Sequence, residues 1–253
     1  MLIDWCDTLH FEVRVDGQIS RSDLNPSTSA PDESLPNEDL TVRAARALQL
    51  ACSTSLGVHI TLQKNIPCQA GMGGGSSDAA SCLLALQRLW GVQLPLPKLQ
   101  AIALSLGADV PFFLSGGHAW VEGIGEKITP LALPPATFLV IKPPAGVSTP
   151  SIFSDSELKR DSKTATIQGF AESDSKQIFR FGHNDLQPVA QKLCPQIGQS
   201  LRWLEMQDLQ GRMTGSGSAV FAHLPDNFKA LVPFDSWTVR KCKNLETHPL
   251  VNW

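Results

Sequence analysis

Apolar residues along the chain change their spacing several times, and each change marks an element. Ala79, Cys82, Leu83, Leu86 and Trp90 recur every three or four positions, which predicts one buried face of a helix of about four turns. Leu99 to Leu106 reads as a further helix. Phe11-Glu12-Val13-Arg14-Val15 alternates as a half-buried strand does, and Asp16-Gly17 behind it is a hairpin-turn signal. His59-Ile60-Thr61-Leu62 has the composition of another strand, and Phe138-Leu139-Val140-Ile141 that of a buried one. Ser20 to Asp39, rich in Ser, Pro, Asp and Glu, is expected to be an exposed loop, and polar Ser154 to Lys176 an exposed or mobile segment. Prolines hem in Leu131-Ala132-Leu133 between Pro130 and Pro135, which disfavours helix and central strand alike. That break divides the chain into domains of residues 1–133 and 134–253. Strands and helices mixed in this order predict an α+β fold in two lobes with a ligand between them.

Between the His59 strand and the Ala79 helix lies a run with its own chemistry. Gly71, Gly73, Gly74 and Gly75 lead directly into Ser76, Ser77, Asp78 and Ala79. Glycines let the backbone take positive φ and bring several N–H groups to one anion, and a helix starting behind them adds the positive end of its dipole. Ser76 or Ser77 is expected to cap that helix, with Asp78 in its first turn. A Walker A loop would end in Gly-Lys-Ser or Gly-Lys-Thr, yet no lysine follows Gly75 until Lys98. A dinucleotide fingerprint would place a third glycine where Ser76 stands. A surface turn without a ligand does not need four glycines followed at once by a helix cap.

Bulk properties narrow the classes. The 253 residues are 42% hydrophobic and 18% charged, which is the composition of a globular protein with a substantial core. A net charge of −3 leaves no basic footprint for nucleic acid. The six cysteines are scattered without a Cys-x-x-Cys pair, which disfavours structural zinc and disulfides and suits a cytoplasmic location. The most apolar run, Thr137 to Ile141, is far below the roughly 20 residues of a membrane helix. The six histidines show no metal-ligand spacing.

The stretch from Pro67 to Ala80 resembles the ATP-binding loop of the GHMP kinases, which phosphorylate small metabolites. Further segments are similar to that family in the same order: Val42 to Leu48, Leu106-Gly107-Ala108-Asp109-Val110-Pro111-Phe112-Phe113, Ala119 to Glu126, Asn184-Asp185-Leu186, and Met213 to Phe221. Within the family, the resemblance is nearest to the branch whose acceptor is a methylerythritol bearing a cytidine diphosphate group, on the non-mevalonate route to isoprenoids. It implies a two-lobed GHMP kinase fold with the active site in the cleft between lobes. It also implies ATP with Mg²⁺, transfer to the acceptor 2-hydroxyl, and a cytoplasmic monomer or homodimer that binds neither nucleic acid nor membrane. Members of the family open with a Pro-Ala-Lys-Leu-Asn strand and a Gly-Tyr-His segment. Met1-Leu2-Ile3-Asp4-Trp5-Cys6-Asp7 resembles the family sequence just downstream of both, and the chain has no tyrosine. In the family that lysine partners the catalytic aspartate. Two alternatives therefore stand beside a kinase of this branch: a nucleotide-binding protein without catalysis, and a GHMP kinase for another small alcohol such as mevalonate or homoserine.

The resemblance assigns roles. Asp109 is the expected catalytic base and contacts the acceptor; the plain alternative is a turn aspartate capping its own backbone. Lys64, Pro67, Gly71, Met72, Gly73, Gly74, Gly75, Ser76 and Ser77 are the expected ATP site, with Ser76 or Ser77 reaching Mg²⁺ and a solvated surface lysine as the alternative for Lys64. Phe153 would stack on the cytosine ring, or else be ordinary core. Thr214, Gly215, Ser216 and Gly217 form a second glycine turn at the substrate, or a hairpin turn within a sheet. Asp39 stands where the family has asparagine beside the adenine.

Overall fold

The computed structural model describes residues 1–24, 35–172, 178–225, 228 and 237–251. They belong to two compact units: Met1–Pro67, Gly73–Pro134 and Leu245–Trp253 form the first, and Cys68–Met72 with Pro135–Asn244 the second. The expected division into 1–133 and 134–253 differs from these units in three respects, the smallest being that Pro134 belongs to the first unit. Residues 68–72 go with the second unit, and residues 245–253 with the first. The mixture of helices with largely antiparallel sheets is of the α+β class.

In the first unit, β1 (Thr8–Arg14), β2 (Ile19–Leu24) and β3 (Gly57–Gln63) make one sheet in the order β1-β3-β2. The central strand is β3 because Val58, Ile60 and Leu62 are its most apolar residues and all three are fully buried. Helices α1 (Leu40–Cys52), α2 (Gly74–Leu89) and α3 (Leu96–Leu106) supply the rest of the core, with Ala44, Leu48, Leu83, Leu86 and Ala103 closing on Val58 and Ile60. A short α4 (Val110–Leu114) and a hairpin of β4 (Ala119–Glu122) and β5 (Lys127–Pro130) complete the unit.

The hairpin expected at Asp16-Gly17 does not form. β3 inserts between the strands on either side of that turn, antiparallel to β1 and parallel to β2. The turn itself is real: Gly17 has φ 73°, and the Asp16 carboxylate accepts from Gln18 N at 3.1 Å. What admits β3 is Gly57, where a Cβ would lie only 2.1 Å from Gln18 O. Ser20 to Leu24, expected in a loop, is β2, and residues 25–34 of that expected loop lie outside the described residues.

The second unit is an antiparallel sheet in the order β7-β8-β6-β9, formed by β6 (Thr137–Lys142), β7 (Gly211–Met213), β8 (Val220–His223) and β9 (Thr238–Lys243). Its helices are α5 (Thr149–Ser154), α6 (Ile167–Ala171), α7 (Gln187–Leu193) and α8 (Pro195–Glu205). Leu139, Ile141, Val220 and Ala222 join Val189, Ile197 and Leu204 in one core. The segment expected to be exposed from Ser154 to Lys176 contains α6, capped by Thr166, whose hydroxyl accepts from Gly169 N at 3.1 Å. Residues 173–176 of that segment lie outside the described residues.

Two alanine substitutions separate steric from conformational constraint. Gly91 has φ 63° with nothing within 4 Å of its missing Cβ, so Gly91→Ala is expected to cost about 1 kcal/mol of conformational strain. Gly57→Ala meets a carbonyl oxygen and is expected to cost more, about 2–3 kcal/mol. Urea unfolding of the two variants side by side checks the order.

Candidate active site

The glycine loop opens α2 without a side-chain cap. Gly73, with φ 70°, is the cap residue and makes no side-chain capping bond. Ser76 and Ser77, expected as caps, lie inside the first turn, where Ser77 N donates to Gly73 O at 2.9 Å. The helix begins earlier than expected because Gly74 and Gly75 take helical conformation while Gly73 makes the reversal. Its first N–H groups have no carbonyl a turn behind them, so they are donors for an anion, at the positive end of a 16-residue helix. Ile66 supports the start from below, with its Cγ2 3.2 Å from where a Cβ on Gly74 would sit. The chain passes from the second unit to the first between Met72 and Gly73, and from the first to the second between Pro67 and Cys68.

Asp109 stands at the start of α4, behind Gly107-Ala108. It makes no capping bond, and among the described residues its carboxylate has no hydrogen-bond or ion-pair partner. It is exposed and borders a hollow of about 260 Å³ with Phe112, Trp120 and Val121. The turn between β4 and β5 braces it from behind: a Cβ on Gly125, whose φ is 105°, would lie 1.9 Å from Ala108 O. The Asp109 segment also approaches the loop, since Ser76 Oγ is 3.9 Å from the position of a Cβ on Gly107. Within the first unit, Asp109 and the loop serines are thus brought to neighbouring backbone.

Lys64 is neither solvated nor free. Its ammonium is bonded to Asp7 and, at 2.8 Å, to Asp78, and the side chains of all three are largely or wholly buried. Asp7 does more than pair: its Oδ1 accepts from Asn65 N at 2.6 Å and from Ile66 N at 2.8 Å. Trp5 Nε1 adds a bond to Asn65 O, and Asn65 Nδ2 one to Cys6 O. Burial pushes the Asp78 carboxyl up to about 7, with Asp7 adding to the rise and Lys64 opposing it. Burial pulls the Lys64 ammonium down, but the two carboxylates outweigh it and raise it overall. Asp78, expected to serve the helix dipole from the first turn, instead lies beyond that turn and anchors the loop entry. Asp7 carried no signal in the sequence beyond its charge.

In the second unit, Cys68–Met72 lies against the turn between β7 and β8. Ser218 N donates to Gln69 O, Ala219 N to Ala70 O, and the Thr214 hydroxyl to Gly71 O, at 3.0, 3.1 and 3.0 Å. The approach is possible only between glycines: a Cβ on Gly71 would lie 2.3 Å from Thr214 O, and one on Gly215 would lie 2.7 Å from Gly71 O. Ser216 Oγ bonds Thr149 Oγ1 at 2.6 Å, which ties the turn to α5 and so to Phe153. Phe153 is 54% exposed and is not core. Three further residues shape this region, of which Thr149 and Lys142 carried no sequence signal for the task and Asn184 only its place in a family-like segment. Thr149 makes the tie to Ser216, Lys142 is buried and donates to Pro143 O and Ala145 O, and Asn184 Nδ2 donates to Met213 O and Gly215 O. Asp39, at the position of the family asparagine, is the cap of α1, bonded to Val42 N and paired with Arg21 at 2.8 Å.

Among the described residues no group of three His, Cys, Asp or Glu side chains could hold a metal, and no helix is long and apolar enough to cross a membrane.

Comparison with known proteins places these features. Residues 39–117 match the GHMP kinases N terminal domain, and residues 165–230 match GHMP kinases C terminal. A 4-diphosphocytidyl-2-C-methyl-D-erythritol kinase of Polaromonas naphthalenivorans (strain CJ2) is 72% identical over 253 residues, covering all of this chain and 85% of its own length. One of Variovorax paradoxus (strain S110) is 54% identical over 268 residues, covering all of this chain and 88% of its own length. A crystal structure of 4-(cytidine 5'-diphospho)-2C-methyl-D-erythritol kinase is 34% identical with TM-score 0.68, over 87% of this chain and 77% of that one. A homoserine kinase from Cytophaga hutchinsonii has TM-score 0.70 over 97% of this chain and 88% of its own, at 14% identity, which is a likeness of fold.

Removing the Lys64 cation tests the buried triad. Lys64→Met leaves two buried carboxylates facing one another, and is expected to cost about 3–5 kcal/mol near neutral pH. Without the cation the Asp78 carboxyl, already raised by burial, loses the charge that opposed the rise, so stability is lost as pH rises through its raised range. The deficit is therefore expected to be smaller at about pH 5 than at about pH 8 in denaturant unfolding.

Proposed function

Since the chain belongs to the GHMP kinases, and within them to the 4-diphosphocytidyl-2-C-methyl-D-erythritol kinases, we propose that it transfers the γ-phosphoryl group of ATP to the 2-hydroxyl of 4-diphosphocytidyl-2-C-methyl-D-erythritol. The observation that carries this reading is identity of 54–72% across the whole chain to kinases of that name. Mevalonate and homoserine as acceptors rest on structures 12% and 14% identical, a likeness that reaches only the fold.

In this reading the backbone N–H groups of Gly73 to Ser76 hold the triphosphate with the Ser77 hydroxyl beside them, Pro67, Gly71 and Met72 shape the approach to them, and the helix dipole of α2 offsets its charge. Lys64 contributes through its place beneath Gly74, where its Nζ lies 3.4 Å from the position of a Cβ. The fit to Mg²⁺ is that of a cation held chiefly by phosphate oxygens and water: the described residues offer no acidic cage, and Ser76 or Ser77 supplies a hydroxyl oxygen. Bound there, Mg²⁺ would neutralise charge on the phosphates.

Asp109, with a carboxylate unengaged by its own helix, accepts the proton of the acceptor hydroxyl as that oxygen attacks phosphorus. Phe153 stacks on the cytosine ring, while Thr214, Gly215, Ser216 and Gly217 orient the diphosphate end of the acceptor. Their rigidity comes from Gly71, Thr149 and Asn184, which hold the turn on three sides.

The decisive experiment is ATP-dependent phosphorylation of 4-diphosphocytidyl-2-C-methyl-D-erythritol by the 253-residue chain, with mevalonate and homoserine as competing acceptors. Turnover confined to the cytidine substrate is expected; ATP binding without turnover of any acceptor would overturn the reading. Asp109→Asn is expected to lower kcat by about 10²–10⁴-fold with ATP affinity retained. Phe153→Ala is expected to raise KM for the cytidine substrate about tenfold and to spare KM for ATP, since one base stack is worth about 1–3 kcal/mol.

A further inference from the structure

One sizeable cavity lies neither at the glycine loop nor at Asp109. It is a space of about 580 Å³ within the second unit. It opens beside β8, whose residues alternate: Val220 and Ala222 join the core shared with α7 and α8, while Phe221 and His223 line the cavity. Phe179 lines it too, its ring 5.0 Å from that of His223 and inclined by 31°, and both rings rest on Phe138 of β6.

Arg212 of β7 forms the charged part of this wall. Its guanidinium carbon lies 5.4 Å from the centre of the Phe221 ring. One nitrogen, Nη1, donates to Phe181 O at 2.6 Å and Gly182 O at 3.0 Å, which fixes the group in place. That clasp engages Nη1 alone, two of the five N–H donors of the guanidinium, and leaves its charge unneutralised: among the described residues no carboxylate pairs with it. Burial lowers the Arg212 guanidinium from its ordinary value, with no acidic neighbour to restore it. Lys159 and Arg180 line the same cavity. Of the carboxylates there, Glu157 is paired with Lys192 at 2.7 Å and Asp185 with His183 at 3.0 Å, and Asp208 is the third. A sheltered cation fixed by neutral carbonyls beside paired aromatic rings is an arrangement for an anion with a flat ring.

We propose that this cavity is a second small-molecule site, separate from the glycine loop, for a nucleoside monophosphate or a ligand of that class: Arg212 takes the phosphate, with Lys159 and Arg180 at the entrance, and Phe179 and His223 take the ring. Asn184 lines the cavity and also holds Met213 O and Gly215 O, so an occupant touches the residue that supports the second glycine turn.

The test is calorimetric titration of the full chain with guanosine monophosphate, alone and again with a non-hydrolysable ATP analogue at saturation. One site per chain that persists with the analogue present is expected. Arg212→Gln and Phe179→Ala are each expected to weaken it by about tenfold or more, and Arg212→Lys by less than Arg212→Gln. If Arg212→Gln fails to fold, the exposed pair Lys159→Ala with Arg180→Ala reads the same loss. Absence of binding, loss of binding once the analogue is present, or unchanged affinity in these variants overturns the site. Inorganic phosphate competing as well as the nucleotide overturns the assignment of the ring. Because the readout is binding with the loop filled, its failure leaves phosphoryl transfer unaffected.

Discussion

Most of the first unit can be understood as the support of one uncapped helix end. A helix start without a capping side chain leaves donors that are expensive to bury and useful only if something anionic reaches them. The protein keeps those donors open by using glycine at Gly73, Gly74 and Gly75, which also deprives the segment of side chains that would hold it still. Rigidity has to come from below and behind. Ile66 lies under Gly74, Asp7 holds the N–H groups of Asn65 and Ile66, and Lys64 joins Asp7 to Asp78 on α2 itself. A surface ion pair would be worth little here; a buried one with its lone pairs engaged by backbone resists movement because any opening leaves a charge unpaired.

The second unit solves a related problem with backbone alone. Where Cys68–Met72 meets the β7–β8 turn, the facing groups are carbonyls and N–H groups at distances that exclude a Cβ on either side. Thr214, Ser216 and Ser218 then fill the remaining bonds with hydroxyls, to Gly71 O, Thr149 Oγ1 and Ala145 O. Hydroxyls of this kind both donate and accept, so the same turn can serve as a sheet connection and as a lining for polar ligands.

Features set by local spacing were legible in the sequence. The apolar face of α2 is the one the spacing of Ala79, Cys82, Leu83 and Leu86 indicates, and β3 and β6 stand where their composition places them. Strand order was not legible. Asp16-Gly17 makes a turn, but whether its two strands pair depends on a third strand over thirty residues on, admitted by the missing side chain at Gly57. The start of α2 was misplaced for a related reason: serines are good caps in general, yet here the glycines begin the helix before the serines are reached. Asp7, Thr149 and Lys142 act through partners distant in sequence or through backbone carbonyls, and neither relation leaves a periodic trace. Exposure likewise separates Phe153 from the core phenylalanine Phe138, although both are plain aromatic letters in the chain.

The distribution of the two units along the chain bears on synthesis. Leu245 N bonds Leu2 O, His248 N bonds Gly116 O, and Gly117 bridges Thr247, so residues 245–248 complete the unit that also contains the chain's first strands. On the ribosome, domains generally fold in the order in which they emerge. Here every residue of the second unit has been polymerised before the first unit receives its closing segment. Until then Leu2 O, Gly116 O and Gly117 in the earlier-made part of the first unit lack these partners, so that unit is completed after the second has been made.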